Sequence, residues 1–99
     1  MTQDVLVKFT AERATPNKLA EAELHFLAGP LAGMKLVGFA VWESPTPGGK
    51  RNVTFPSRKY TINKESRTFA LLRPITDAAA TELVRQIVLD AFTIWEREQ

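Results

Sequence analysis

Hydrophobic and polar residues alternate in two stretches near the start of the chain. The first covers residues 5–9 and the second covers residues 20–26. In the second stretch, Glu21, Glu23 and His25 all fall on the polar side. A two-residue period is typical of β-strands. We therefore predict two antiparallel strands, the second of which has one face in water.

Residues 34–43 also alternate, but here both sets of alternate positions are apolar. One set is Leu36, Ala40 and Trp42, and the other is Val37, Phe39 and Val41. A strand that is apolar on both faces needs cover on both faces. Because one helix covers only one face, we predict that a second copy of the chain covers the other. Gly38, in the middle of this strand, is typical of a bulge or of a close neighbour.

Prolines, glycines and polar residues divide the next part of the chain into short segments. Residues 44–49 contain two prolines and two glycines, which predict a loop. A fourth strand at residues 53–55 and a fifth at residues 68–72 each end near a proline, and a polar turn at residues 63–66 lies between them. The apolar residues of these two strands that we expect in the core are Val53, Phe55, Phe69 and Leu71.

The last part of the chain, from about residue 78 to residue 96, has the three- and four-residue spacing of an amphipathic helix. Asp77 precedes it and can accept hydrogen bonds from its first free amides. The apolar residues predicted on the core-facing side are Leu83, Val84, Ile87, Val88, Ala91, Ile94 and Trp95. Phe92 extends this side, whereas Leu89 lies nearer the polar side. Two interpretations follow: the whole helix covers the sheet, or Phe92 and Leu89 instead contact a second chain.

These patterns predict one α+β domain over residues 1–99, with a small antiparallel β-sheet of four to five strands and a C-terminal α-helix. We expect the domain to form a homodimer. The residues predicted at the dimer interface are Val37, Phe39, Val41, Leu89 and Phe92.

Composition narrows the possible chemistry. The chain has no cysteine and a single histidine, so we predict no disulfide, no metal site and no cofactor. His25 lies on an acidic strand face, where a solvated side chain is the expected state, and no second group completes a catalytic set. We therefore expect a protein that is not an enzyme. The N-terminal stretch lacks the apolar run of a signal peptide and no segment has about 20 consecutive apolar residues, so we expect a cytoplasmic protein that does not bind a membrane.

Charge is concentrated in one region of the chain. Residues 50–73 hold seven basic residues and one acid, Glu65, whereas the rest of the chain holds six basic and ten acidic residues. The basic residues of this region are Lys50, Arg51, Arg58, Lys59, Lys64, Arg67 and Arg73. Such cations can simply protect an exposed strand edge against aggregation. Alternatively they contact the phosphates of DNA or RNA, with Tyr60 placed to stack on an unpaired base.

Two short motifs resemble those of a known family. Residues 53–60, VTFPSRKY, resemble the Phe-Val-x-Met-Pro-Ser-Arg-Lys segment of the bacterial stage V sporulation protein G family of septation regulators. That family continues with a strand that ends in His-Pro-Ile and then with a helix, and residues 71–75, LLRPI, stand at this position with Arg73 in place of the histidine. The resemblance extends over residues 34–92. The family motif corresponds to Pro56, Ser57, Arg58 and Lys59.

The resemblance implies a small cytoplasmic dimer that binds DNA or RNA and regulates septation or sporulation without catalysing a reaction. The basic residues of the motif would then contact phosphates. The alternative hypothesis is a protein–protein interaction module that binds no nucleic acid, in which the third strand and Phe92 dock a protein partner.

Overall fold

Strands and one helix form an α+β fold, as the sequence predicts. The computed structural model describes residues 4–12 and 14–99. In this part of the chain a four-stranded antiparallel sheet carries a separate two-stranded hairpin and a C-terminal helix. The elements are β1 (Val5–Ala11), β2 (Lys18–Phe26), β3 (Lys35–Trp42), β4 (Asn52–Thr54), β5 (Ser57–Ile62), β6 (Glu65–Ala70) and α1 (Ala79–Arg97). No helix of the described residues is long and apolar enough to cross a membrane.

The four-stranded sheet has the strand order β1-β2-β3-β4, with every neighbouring pair antiparallel. On β2 the residues Ala20, Ala22 and Leu24 are buried, whereas Glu21 is exposed on the opposite face. The two-residue alternation therefore predicted this strand and its wet face correctly. The buried face of the sheet, which packs against α1, is called the core face below, and the opposite face is called the polar face.

Gly38 forms a bulge in β3 and changes which residues of that strand face the core. Ala22 pairs with Phe39 and Glu23 pairs with Val37, so Gly38 has no partner, and its φ angle is +109°. Since the extra residue shifts the alternation by one, side chains on either side of it change faces. Leu36, Phe39 and Val41 thus lie together on the core face, and the predicted grouping of Val37 with Phe39 was wrong. Val37 lies on the polar face beside Glu23.

Helix α1 covers the core face of the sheet. Val88 and Phe92 are fully buried, and the Phe92 ring meets the Phe9 ring edge to face at 5.5 Å. The Asp77 carboxylate accepts a hydrogen bond from the amide of Ala79 at 2.9 Å, which confirms its predicted capping role. The predicted core side was partly wrong, because the contact with the sheet is centred on Val88 and Phe92. Three residues predicted to face the core are instead exposed: Leu83, Ile87 and Ile94.

The predicted dimer interface needs correction. Phe39 is only 1% exposed, and Val41 and Phe92 are equally enclosed by the single chain. Leu89 is half-buried and packs against the same core. These side chains stabilise the monomer and are not available to a second copy. Only Val37, which is 54% exposed, remains a surface residue of that set, and dimerisation through the polar face stays a prediction.

Hairpin β5–β6 contains a strand that the sequence patterns did not predict. Residues 57–62 are polar apart from Tyr60 and Ile62, so they lack the signal of a half-buried strand. The turn has only two residues, Asn63 and Lys64, with φ angles of 52° and 66°. Positive φ at both central residues is the requirement of a type I′ hairpin turn. Phe55 and Val53 pack in or against the core as predicted, but Phe69 and Leu71 are exposed, because they belong to this hairpin or follow it directly.

Candidate nucleic-acid interface

The base of hairpin β5–β6 is attached to the sheet at the Gly38 bulge. Pro56, the residue before β5, is buried. A Cβ atom added to Gly38 would lie 3.0 Å from the Pro56 Cβ, so glycine is needed for this close approach. The amide of Leu71 donates a hydrogen bond to the Pro56 carbonyl at 2.8 Å and closes the hairpin base. Beyond this base, every strand residue of the hairpin except Tyr60 and Ala70 is exposed.

The register of the hairpin sorts its side chains onto two faces. Arg58 pairs with Phe69 and Tyr60 pairs with Arg67, and cross-strand partners lie on the same side of a sheet. These four residues and the pair Ile62 and Glu65 form what we call the arginine–aromatic face. The other side, which we call the hydroxyl face, consists of Ser57, Lys59, Thr61, Ser66, Thr68 and Ala70.

The arginine–aromatic face combines two aromatic rings with arginine side chains. The Tyr60 and Phe69 rings are 5.5 Å apart at an interplanar angle of 64°. Arg73, which follows β6, holds its guanidinium carbon 5.8 Å from the centre of the Phe69 ring. Within the strands each ring lies opposite an arginine, so aromatic and cationic side chains alternate across the surface. The acid on this face, Glu65, lies 3.4 Å from Arg67 and offsets part of its charge.

The predicted basic residues do not share one surface. Arg58, Arg67 and Arg73 lie together, whereas Lys59 lies on the hydroxyl face because adjacent strand residues point to opposite sides. Lys64 lies at the tip of the hairpin and is exposed. Lys50 is exposed in the loop before β4. The family motif is divided in the same way: Pro56 is structural, and Ser57, Arg58 and Lys59 are exposed on alternate faces.

Arg51 belongs to the packing of the sheet against the helix. Its guanidinium lies 2.7 Å from the Glu96 carboxylate and 3.6 Å from the Glu43 carboxylate. It also lies 5.2 Å from the centre of the Phe92 ring. The hydrogen bond to Glu96 raises the pKa of Arg51 above its usual range. Because its charge is already offset by two acids, Arg51 is less available to a phosphate than the hairpin arginines, and its contact with phosphate stays a prediction.

Sequence reasoning missed Arg85, whose side chain lies on the sheet side of α1. Its guanidinium carbon is 5.5 Å from the centre of the Phe55 ring, and it pairs with Glu82 one turn earlier in the helix. Its Nε atom is enclosed without a hydrogen-bond partner in the described structure. Arg85 lines an open cleft of about 440 Å³ between β4, the hydroxyl face and the helix. Arg73, which follows β6 at the edge of the hairpin, also contributes to the lining of this cleft, although its guanidinium carbon lies 5.8 Å from the Phe69 ring. The signal was present in the sequence, since Arg85 lies three residues before Val88 and seven before Phe92.

The polar face of the sheet carries a network of paired charges. His25 Nε2 lies 2.7 Å from Glu23 Oε1, and Lys35 Nζ lies 3.4 Å from the same oxygen. The hydrogen bond with His25, supported by Lys35, lowers the pKa of Glu23. Lys8 stands opposite Glu23 on β1. In residues 4–12 and 14–99, no three His, Cys, Asp or Glu side chains are grouped as metal ligands would be.

No known family model, curated protein or solved structure matches this chain.

Proposed function

We propose that this protein is a non-enzymatic regulator that binds DNA or RNA through hairpin β5–β6. One observation carries the proposal: Arg58 and Arg67 lie on the same face of an exposed hairpin, and Arg73 holds its guanidinium near the Phe69 ring of that face. In the described structure no acid lies within ion-pair distance of Arg58 or Arg73, and Arg67 has only Glu65. Guanidinium groups bind phosphate oxygens through two parallel hydrogen bonds, so this face suits a phosphodiester backbone.

The separation of charge along the chain supports the same partner. The region that contains the hairpin has six more basic than acidic residues, whereas the remaining residues carry a net negative charge of four. A local positive field attracts a polyanion and orients it toward the hairpin, and the acidic remainder of the chain repels it. The Pro-Ser-Arg-Lys motif of septation regulators is similar in sequence to residues 56–59, and it supports a cytoplasmic regulator of septation or sporulation.

A fluorescence-polarisation titration with labelled DNA and RNA over a series of salt concentrations tests the proposal. We expect the affinity to fall steeply as salt rises, because phosphate contacts release condensed counterions. Arg58→Ala combined with Arg67→Ala should weaken binding and lower the slope of log K against log salt by about 0.9 per lost phosphate contact on a duplex. Arg51→Ala is the control for each single substitution, since it removes one positive charge that is already paired with Glu43 and Glu96.

Two results would contradict the proposal. One is the absence of binding at low salt, and the other is binding that the Arg58 and Arg67 substitutions leave unchanged. A protein-interaction module is the second candidate, favoured by Leu71 and by Ile75, whose side chain is 99% exposed. That candidate predicts a protein partner whose binding survives loss of the three arginines and is lost in Ile75→Ser.

A further inference from the structure

We propose that the arginine–aromatic face is a base-stacking site that selects single-stranded over double-stranded nucleic acid. This inference rests on the proposed function and names the form of nucleic acid that the hairpin binds. Arginines alone would hold the backbone of a single strand or of a duplex. The Tyr60 and Phe69 rings are the additional feature, because they offer planar apolar surface among the cations.

The two rings lie apart from most of the other aromatic side chains of this chain. Phe9, Phe39, Phe55, Phe92 and Trp95 pack in or against the core. Tyr60 and Phe69 contact each other on the far hairpin, and Phe69 is 37% exposed. An aromatic cross-strand pair stabilises a hairpin modestly. A purely structural pair would not need cations beside it, yet Arg58 and Arg67 lie opposite the two rings in the strand register and Arg73 lies near Phe69.

The arrangement matches the requirements of an unpaired strand. Bases of a single strand can turn outward and stack on aromatic rings, while arginines neutralise the phosphates or stack in turn. The Arg73 guanidinium carbon lies 5.8 Å from the centre of the Phe69 ring, so a cation that can contact a phosphate lies beside this ring. In a duplex the base faces are covered by neighbouring base pairs and reach no ring. The chemistry of the face therefore favours a single strand of DNA or RNA over a duplex.

The test compares a fluorescein-labelled oligothymidylate with a duplex of the same length at one salt concentration. We expect tighter binding of the oligothymidylate. Tyr60→Leu combined with Phe69→Leu should weaken that binding roughly tenfold to a hundredfold and leave duplex binding unchanged. The conservative pair Tyr60→Phe and Phe69→Tyr should bind as the wild type does. Thr61→Val with Thr68→Val, on the hydroxyl face, is the matched control and should have no effect.

The outcomes separate this inference from the function on which it rests. Equal binding of single strand and duplex, unaffected by the leucine substitutions, would overturn the stacking site and leave phosphate binding in place. No binding of either probe would overturn both. A further outcome is that the leucine variant binds neither probe and, by light scattering, no longer self-associates. In that case the rings form a contact between copies of this chain, and the inference is wrong. Amide hydrogen exchange in β5–β6 shows whether the leucine variant keeps its hairpin. If the hairpin is lost in that variant, binding of the oligothymidylate by the conservative variant, Tyr60→Phe with Phe69→Tyr, is the deciding measurement, and a loss of that binding would overturn the inference.

Discussion

The body of the molecule, formed by β1–β4 and α1, and hairpin β5–β6 use the same residue types differently. In the body, several cations are paired with acids, and most aromatic rings pack in or against the core. Examples are Lys18 with Glu21 at 2.9 Å, Lys35 with Glu23 and Arg51 with Glu96. In and beside the hairpin, Arg58 and Arg73 have no acid within ion-pair distance in the described structure, and of the two rings Phe69 is exposed and Tyr60 is half-buried. Charge and aromatic content therefore stabilise the fold in the first region and remain available to a ligand in the second.

The difference has a simple physical origin. The body buries one face of a four-stranded sheet under a helix, so its side chains have partners on the core face and across strands. A two-stranded hairpin has no layer to bury and is at best marginally stable alone. Its two-residue turn, its Tyr60–Phe69 pair and its attachment at Pro56 hold it in place. Residues that need not pack are free to be basic.

The largest expected effect is on the free energy of unfolding, when phenylalanine is replaced by alanine once in the body and once in the hairpin. Phe39→Ala removes a buried ring and should lower the free energy of unfolding by about 3–5 kcal/mol. Phe69→Ala removes a ring from an exposed cross-strand pair and should cost about 1 kcal/mol, confined to the hairpin. Urea unfolding followed by tryptophan fluorescence reports on the body, since both Trp42 and Trp95 lie there. Equal losses in this measurement would mean that the hairpin folds as part of the core.

A smaller effect should come from the point where the two regions join. Gly38→Ala places a Cβ against Pro56 and requires a φ angle that residues with side chains rarely adopt, so we expect a loss of about 1–3 kcal/mol. Gly48→Ala is the control, because Gly48 also has a positive φ but no atom within 4 Å of the added Cβ. It should cost only about 1 kcal/mol. If the two variants lose the same stability, the contact with Pro56 does not constrain the bulge.

The contrast between the body and the hairpin also explains which elements were predicted from the sequence and which were missed. Alternation over residues 20–26 and helical spacing over residues 78–96 identified β2 and α1, because each buries one side of a regular element. Strand β5 was missed, because a strand that buries neither face has no apolar period to detect. The face of Val37 was assigned wrongly, because a single unpaired residue, Gly38, reverses the alternation that the pattern assumed.

The candidate site shows a second limit of prediction from sequence. The basic segment at residues 50–73 indicated the region of the hairpin, and Arg58, Arg67 and Arg73 were identified from their positions in it. Which cations share a surface depends on strand register and on long-range contacts. The Arg51–Glu96 ion pair joins residues 45 positions apart in the chain, and no local pattern indicates it. The sequence therefore identifies the basic region, but only the fold shows which of its cations are free of an ion pair and exposed to a ligand.

The smallest expected effect concerns pH and again contrasts a body acid with a hairpin acid. The pKa of Glu23 is lowered by its hydrogen bond with His25 and by Lys35, so the ionised form is favoured in the folded state. A lowered folded-state pKa contributes stability at pH values above the unfolded value, near 4.5, and this contribution is lost as the pH falls through the folded-state pKa. Glu23→Gln should therefore be slightly less stable than the wild type at neutral pH and equal to it in acid.

Glu65→Gln is the matched hairpin variant for this measurement. Glu65 lies 3.4 Å from Arg67, but its side chain is 70% exposed, so solvent screens the pair. Urea midpoints measured from neutral pH down to about pH 3 should differ between Glu23→Gln and the wild type only at the upper end of the range. They should show no comparable difference for Glu65→Gln. The contrary result is a urea midpoint of Glu65→Gln that differs from that of the wild type as much, and with the same pH dependence, as the midpoint of Glu23→Gln does. The charges of the hairpin would then stabilise the fold as those of the body do, which would contradict the contrast between the two regions.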